Sequence, residues 1–316
     1  MSQQLKGEPV SPKQGMSLYR WLMLIALALV LAIISLGIGK LSYSWLPPQA
    51  SAESQLIDNL FSFLVTLGSF IFLGVTGTVL YSIFFQQASK YDSSDGPHIE
   101  GNITLEVIWT AIPILLVVWI ATYSYQIYID MNIQTGMGLG HIHLPIKMES
   151  AMAAPMTNGS EEVENIDVQA KQWAWVFNYP EQGVSSTELH LPSDRRIRLT
   201  LKSEDVIHGF YIPAFRIKQD AIPGRTIQVE FTPIRQGKYR LRDSQFSGTY
   251  FATMQANVVV QSPEDYQKWL KTSSKLKPTV AENEAASEYA QEVKASFKTG
   301  WPSIAPANPP VVNYHN

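Results

Sequence analysis

Between Asp243 and Met254 the chain reads DSQFSGTYFATM, with His208 upstream in DVIHGFYIP. Imidazole and thioether suit copper, and these two residues supply one of each. Asp243, Gln245 and Ser247 add only oxygen or amide groups, and Phe251 adds nothing. One imidazole and one thioether are too few to close a copper site, so no metal is expected here. His208 then reads as a satisfied polar residue of a sandwich edge, and Met254 as core filler. A second set of soft ligands, Met131, Met137, Met148, Met152 and Met156 with His141 and His143, lies in a stretch rich in Gly, Ser and Pro. Flexible loops rarely fix metal geometry, so we read this stretch as an irregular loop resting on the membrane surface or on a partner.

A different chemistry attaches to Glu106, in EVIWTAIP at the start of an apolar run. A carboxylate at a helix N-terminus is favoured by the dipole, and at the bilayer boundary it can collect protons for a buried route. The competing reading is a first-turn acid that merely stabilises the helix start. Glu100, in the polar loop before it, is the weaker choice.

The elements that must position these residues follow from composition and periodicity. The 316 residues are 46% hydrophobic and only 16% charged, which points to membrane segments. A net charge of −3 offers no basic field for nucleic acid. Cysteine is absent, which removes disulfides, thiolate catalysis, zinc clusters and a lipidated-cysteine anchor.

Three apolar runs, each long enough for the roughly 20 residues of a transmembrane helix, predict spans over 21–39, 56–85 and 105–129. Pro113 in the third is tolerable because neighbouring helices can satisfy the freed carbonyl. For the first run two readings stay open. Its length suits a retained span, whereas the preceding basic residues and ASA at 50–52 resemble a cleaved signal. Lys6, Lys13 and Arg20 place residues 1–20 in the cytoplasm, with the loop 86–104 also inside and everything after Asp130 outside. A linker, 130–160, leads to a domain over 161–262. There RIRLTLK and TIQVEF alternate apolar and polar residues, and strands are expected at 166–178, 205–212, 237–242 and 252–261. Short strands at this spacing predict a Greek-key β-sandwich. The tail 263–316 is expected to hold helices near 263–271 and 280–297 and to end in Pro-rich coil.

Four stretches, EVIWTAIP, AKQWAWVFNYP, SEDVIHGFYIPAFRIKQDAIPGR and GKYRLRDSQFSGTYFATM, follow one another in order. Together they resemble subunit II of the haem–copper terminal oxidases over roughly residues 50 to 270. The resemblance implies membrane helices anchoring a cupredoxin-like sandwich outside the membrane, and partner subunits I and III. In that family the sandwich usually carries the binuclear CuA centre, while haems and CuB belong to subunit I. Carried over, His208 and Met254 keep their CuA positions, but both cysteine positions are changed, to Asp243 and Ser247. Gln245 stands at the carbonyl position, Phe251 at the second histidine, and Trp173 at the electron-accepting tryptophan beside Trp175. With no acceptor metal behind it, Trp173 reads as packing of a sandwich surface.

The family docks basic cytochromes on an acidic face. Residues 161–316 hold 18 Lys/Arg against 18 Asp/Glu, and Arg235, Lys238, Arg240 and Arg242 directly precede the changed loop. Such charge would repel a basic partner.

The resemblance therefore implies a CuA-less, quinol-oxidising oxidase similar to the alternative respiratory terminal oxidase of cyanobacteria, with no cofactor on this chain and Glu106 at the mouth of a proton pathway. Two other classes remain: a cytochrome c or cupredoxin oxidase with an altered copper site, and a structural sandwich outside any oxidase. Plasma and thylakoid membranes are not distinguished.

Overall fold

The structure, a computed structural model, describes residues 17–87, 91, 101–131, 163–294 and 303–315. Beyond Met131, the Met- and His-rich linker lies outside them, as do Glu100 and most of the loop expected at 86–104.

Three helices open the chain: α1 (Leu18–Leu41), α2 (Ala52–Phe85) and α3 (Ile103–Asp130). Their most apolar stretches have mean hydropathies of 2.8, 2.0 and 2.2, and each helix is long enough to cross a membrane. Large apolar side chains such as Leu27, Phe72 and Val117 are exposed, as a lipid- or partner-facing surface requires. The chain divides into two compact units, one holding α1 and most of α2, the other α3 and all that follows, together with residues 47–60.

In the first unit α1 and α2 meet at Gly39. A Cβ there would lie 1.8 Å from Thr66 Oγ1, so no larger residue fits. Ser62 Oγ donates to the Gly39 carbonyl at 2.7 Å across the same contact.

The second unit is built on a sandwich of ten strands: β1 (Glu164–Lys171), β2 (Ala174–Tyr179), β3 (Val184–Ser186), β4 (Leu189–Pro192), β5 (Ile197–Ser203), β6 (His208–Ile212), β7 (Ile217–Ala221), β8 (Ile227–Phe231), β9 (Gly237–Asp243) and β10 (Gln255–Gln261). One sheet runs β3-β2-β1-β5-β8 and the other β4-β10-β9-β6-β7. Alternation along β5 buries Ile197, Leu199 and Leu201 completely, and β10 does the same for Val258. Each such side chain contributes about 1.5–3 kcal/mol, so a chain without disulfides is held by its core.

The strand expected at 166–178 is a hairpin, β1 and β2 turning at Gln172–Trp173. The turn carries no Gly or Pro, and apolar residues resume at Trp173 directly after Lys171 and Gln172, which hid it in the sequence. The strand expected from 205 starts only at His208, and that expected from 252 starts at Gln255 after a 3-10 turn, Phe251–Thr253.

The tail is not an appendage. Helix α4 (Pro263–Ser273) sends Tyr266, Trp269 and Leu270 into the sandwich core. Beyond it, β11 (Thr279–Val280) pairs with β12 (Val311–Val312), where coil was expected, and α5 (Glu284–Lys294) adds Ala285 to the core.

Candidate functional site

The pairing of β6 with β9 sets Phe210 opposite Asp243, which brings the start of β6 beside the loop that follows β9. There His208 Nδ1 lies 2.8 Å from Asp243 Oδ2, and His208 Nε2 lies 2.9 Å from Asp205 Oδ1. The other Asp243 oxygen accepts from the backbone N–H of Gly209 at 2.7 Å and of Gln245 at 3.0 Å. Ser247 Oγ donates to Asp243 Oδ2 at 2.7 Å. His208 is fully buried, and Asp243 and Ser247 nearly so.

The electrostatics follow from this geometry. Burial by itself would push the imidazole down, but the hydrogen bonds to Asp243 and Asp205 outweigh it and hold His208 above its ordinary value. Burial likewise opposes ionisation of Asp243. Its hydrogen bonds to His208, Gly209, Gln245 and Ser247 prevail and hold the carboxyl below its ordinary value. A protonated His208 donates from both nitrogens and has no lone pair left for a metal.

His208, Asp243, Gln245 and Ser247 thus converge. The sandwich edge expected for His208 does not hold: β6 lies between β9 and β7, and the ring is interior. Gln245 turns away, its Nε2 lying 3.0 Å from each oxygen of Asp220 on β7. Met254 is buried in the core, and its carbonyl accepts from Asp243 N at 3.0 Å and from Trp175 Nε1 at 3.3 Å. Phe251 packs edge-on against the exposed Phe246, their centroids 5.2 Å apart.

A copper pair bridged by thiolates does not fit this donor set, because the chain has no cysteine and the Asp243 carboxylate and Ser247 hydroxyl are committed to each other. Among the described residues no group of three or more His, Cys, Asp or Glu is arranged to hold a metal.

Trp173 departs most from expectation. It is not a surface residue; only 2% of it is exposed. Its Nε1 donates to the Ser247 carbonyl at 3.1 Å, and Tyr250 meets it edge-on at 5.1 Å. Gly248, at φ +115°, abuts the indole so closely that a Cβ would come within 2.7 Å of it. The tail reaches the backbone of the same turn: Asn283 Nδ2 donates to the Trp173 carbonyl at 3.1 Å and Ala307 N to that of Gln172 at 2.7 Å. Glu292 on α5 hydrogen-bonds Tyr250.

Glu106 lies apart from this cluster, exposed in the first turn of α3. Asn102 caps that helix, its Oδ1 accepting from Leu105 N at 3.2 Å, so the helix start does not depend on Glu106 alone. Lys238, Arg240 and Arg242 alternate outward from β9.

Sequence reasoning missed Asp205 and Asp220. Asp205 carried a signal, a carboxylate three residues before His208, whereas the approach of Asp220 to Gln245 depends on strand pairing.

Two family descriptions match the chain: "Cytochrome C oxidase subunit II, transmembrane domain" over residues 37–127 and "Cytochrome C oxidase subunit II, periplasmic domain" over 184–262. A cytochrome c oxidase subunit 2 from Synechocystis is 33% identical over 78% of this chain and 80% of its own. Its counterpart from Thermostichus vulcanus is 32% identical over 76% and 81%. A quinol oxidase subunit 2 from Bacillus subtilis is 26% identical over 81% and 74%.

Proposed function

The chain belongs to the subunit II family of haem–copper terminal oxidases, and from that premise we propose that its complex oxidises a membrane quinol and reduces O₂ to water. The supporting observation is the Asp205–His208–Asp243–Ser247 network, whose His208, Asp243 and Ser247 are the positions that the family resemblance assigns to CuA ligands. Electrons from a soluble protein would then find no acceptor on this chain. The burial of Trp173 points the same way, since an indole in a side chain only 2% exposed offers a docked protein little to touch. In this reading haems and CuB lie in subunit I, subunit III completes the assembly, and this chain carries no redox centre. It contributes a cap and a docking surface outside the membrane, and Glu106 collects protons for a pathway into subunit I.

A second reading, cytochrome c oxidation, is favoured by the higher identity to the Synechocystis protein than to the Bacillus quinol oxidase. Oxygen uptake by the purified complex separates the two. With a quinol, turnover is expected to be fast and nearly independent of ionic strength, because a neutral lipophilic donor needs no electrostatic steering. Fast oxidation of a reduced c-type cytochrome, falling steeply with added salt, would overturn the quinol assignment.

A further inference from the structure

The stretch between α1 and α2 carries the ASA sequence that resembles a cleavage site, and its surroundings decide how it is used. Ala50 and Ser51 are completely buried, and Ala50 belongs to the sandwich core. Ser51 forms an antiparallel bridge with Pro233, just past β8. Ala50 N donates to Ala214 O at 3.0 Å, Ile234 N to Ala50 O at 2.9 Å, and Ala52 N to Thr232 O at 3.0 Å. Ser51 Oγ donates to Phe215 O at 3.1 Å. Residues 50–52 therefore run as a strap between the β8 edge of one sheet and the β6–β7 connection of the other.

Two buried ion pairs fasten the strap. Glu53 receives Arg196 Nη1 at 2.6 Å and the Thr232 N–H at 3.1 Å. Arg216 binds both oxygens of Asp58, at 2.8 and 2.9 Å, and donates to the Pro47 carbonyl at 2.6 Å. One guanidinium thus ties the two ends of the strap together. Arg216 sits at the end of the 3-10 turn Pro213–Phe215 with a left-handed backbone, φ +57°.

We propose that residues 47–58 are a permanent part of the outer domain and that the Ala52–Glu53 bond stays intact in the mature protein. A cut there followed by loss of the segment up to Ala52 would strip partners from Ala214 O, Phe215 O, Thr232 O and Ile234 N in a groove where unpaired polar groups are costly. It would also create an ammonium on Glu53, beside Arg196, which is only 6% exposed and whose Nη2 has no hydrogen-bond partner among the described residues. Helix α1, at 24 residues, exceeds the roughly 7–15 of a signal h-region.

The test is the N-terminus of the chain in complex purified from its native membrane. Peptides crossing the Ala52–Glu53 bond should be recovered as abundantly as peptides from the sandwich. A chain that starts at Glu53, or anywhere after Pro47, would overturn the proposal. Arg216→Leu in the full-length chain supplies the second measurement: the outer domain should melt several degrees lower and become protease-sensitive near residue 52. An unchanged melting temperature would also overturn it, and if that variant does not accumulate, the wild-type N-terminus still decides.

Discussion

Asp243 Oδ2 lies 2.8 Å from Nδ1 of His208, with both side chains sealed from solvent. The carboxylate answers the imidazole's charge, Ser247 and two backbone N–H groups answer the carboxylate's, and Asp205 accepts the hydrogen bond of the second ring N–H. Such a network ties β6 to the loop after β9 without a metal. Its worth lies in completeness, because a buried charge that loses its partner is far costlier than one never placed there.

Asp243→Asn keeps the shape and removes the charge. It should destabilise the outer domain by about 3–5 kcal/mol, the range for breaking one side of a buried pair. Chemical denaturation of the full-length chain measures this, and a loss below about 1 kcal/mol would mean that the pair contributes like a surface bridge.

The same pair predicts a pH window. His208 is raised, so its contribution is complete below its ordinary value of 6.5 and fades as pH rises through the folded value. Asp243 is lowered, so its contribution is complete above 3.8 and fades as pH falls through its depressed folded value. The melting-temperature gap between wild type and Asp243→Asn should therefore be widest between pH 3.8 and 6.5. A gap that widens steadily into alkaline pH would contradict the imidazolium.

Copper loading of the full-length chain, purified alone in detergent, should produce no near-infrared CuA band. The motive is the oxygen chemistry at Asp243 and Ser247. A stoichiometric copper pair on this chain would sink the idea.

Trp173→Phe removes the hydrogen bond to Ser247 and part of the packing against Tyr250. Gln172 Nε2 still donates to the Ser247 carbonyl at 2.7 Å, so the loss expected is that of one net hydrogen bond, about 0.5–1.5 kcal/mol. Turnover per assembled complex should not change, and a large fall in turnover at full assembly would restore an electron-accepting role.

Glu106→Gln keeps the size and removes the titratable proton. With Asn102 already capping the helix, assembly and haem content should be normal while turnover drops several-fold. Wild-type turnover in the assembled variant would leave Glu106 a helix-start acid and nothing more.

What was legible in the sequence is what depends on neighbours in the chain. Three uninterrupted apolar runs specify spans because lipid solvates each residue locally, and alternation in RIRLTLK specifies a half-buried strand for the same reason. The lack of any thiolate is a matter of composition, and it argued against a bridged copper pair before any geometry was known. Tertiary structure alone decided the rest. Glu53 meets Arg196 across 143 residues, and Asp58 meets Arg216 across 158, so no periodicity could announce either pair. The tail's bonds to the backbone at Gln172 and Trp173 and the strap that holds Ala50 are the same kind of fact. Charge pairing and desolvation act over a few ångströms of space, and only the folded chain says which residues share those ångströms.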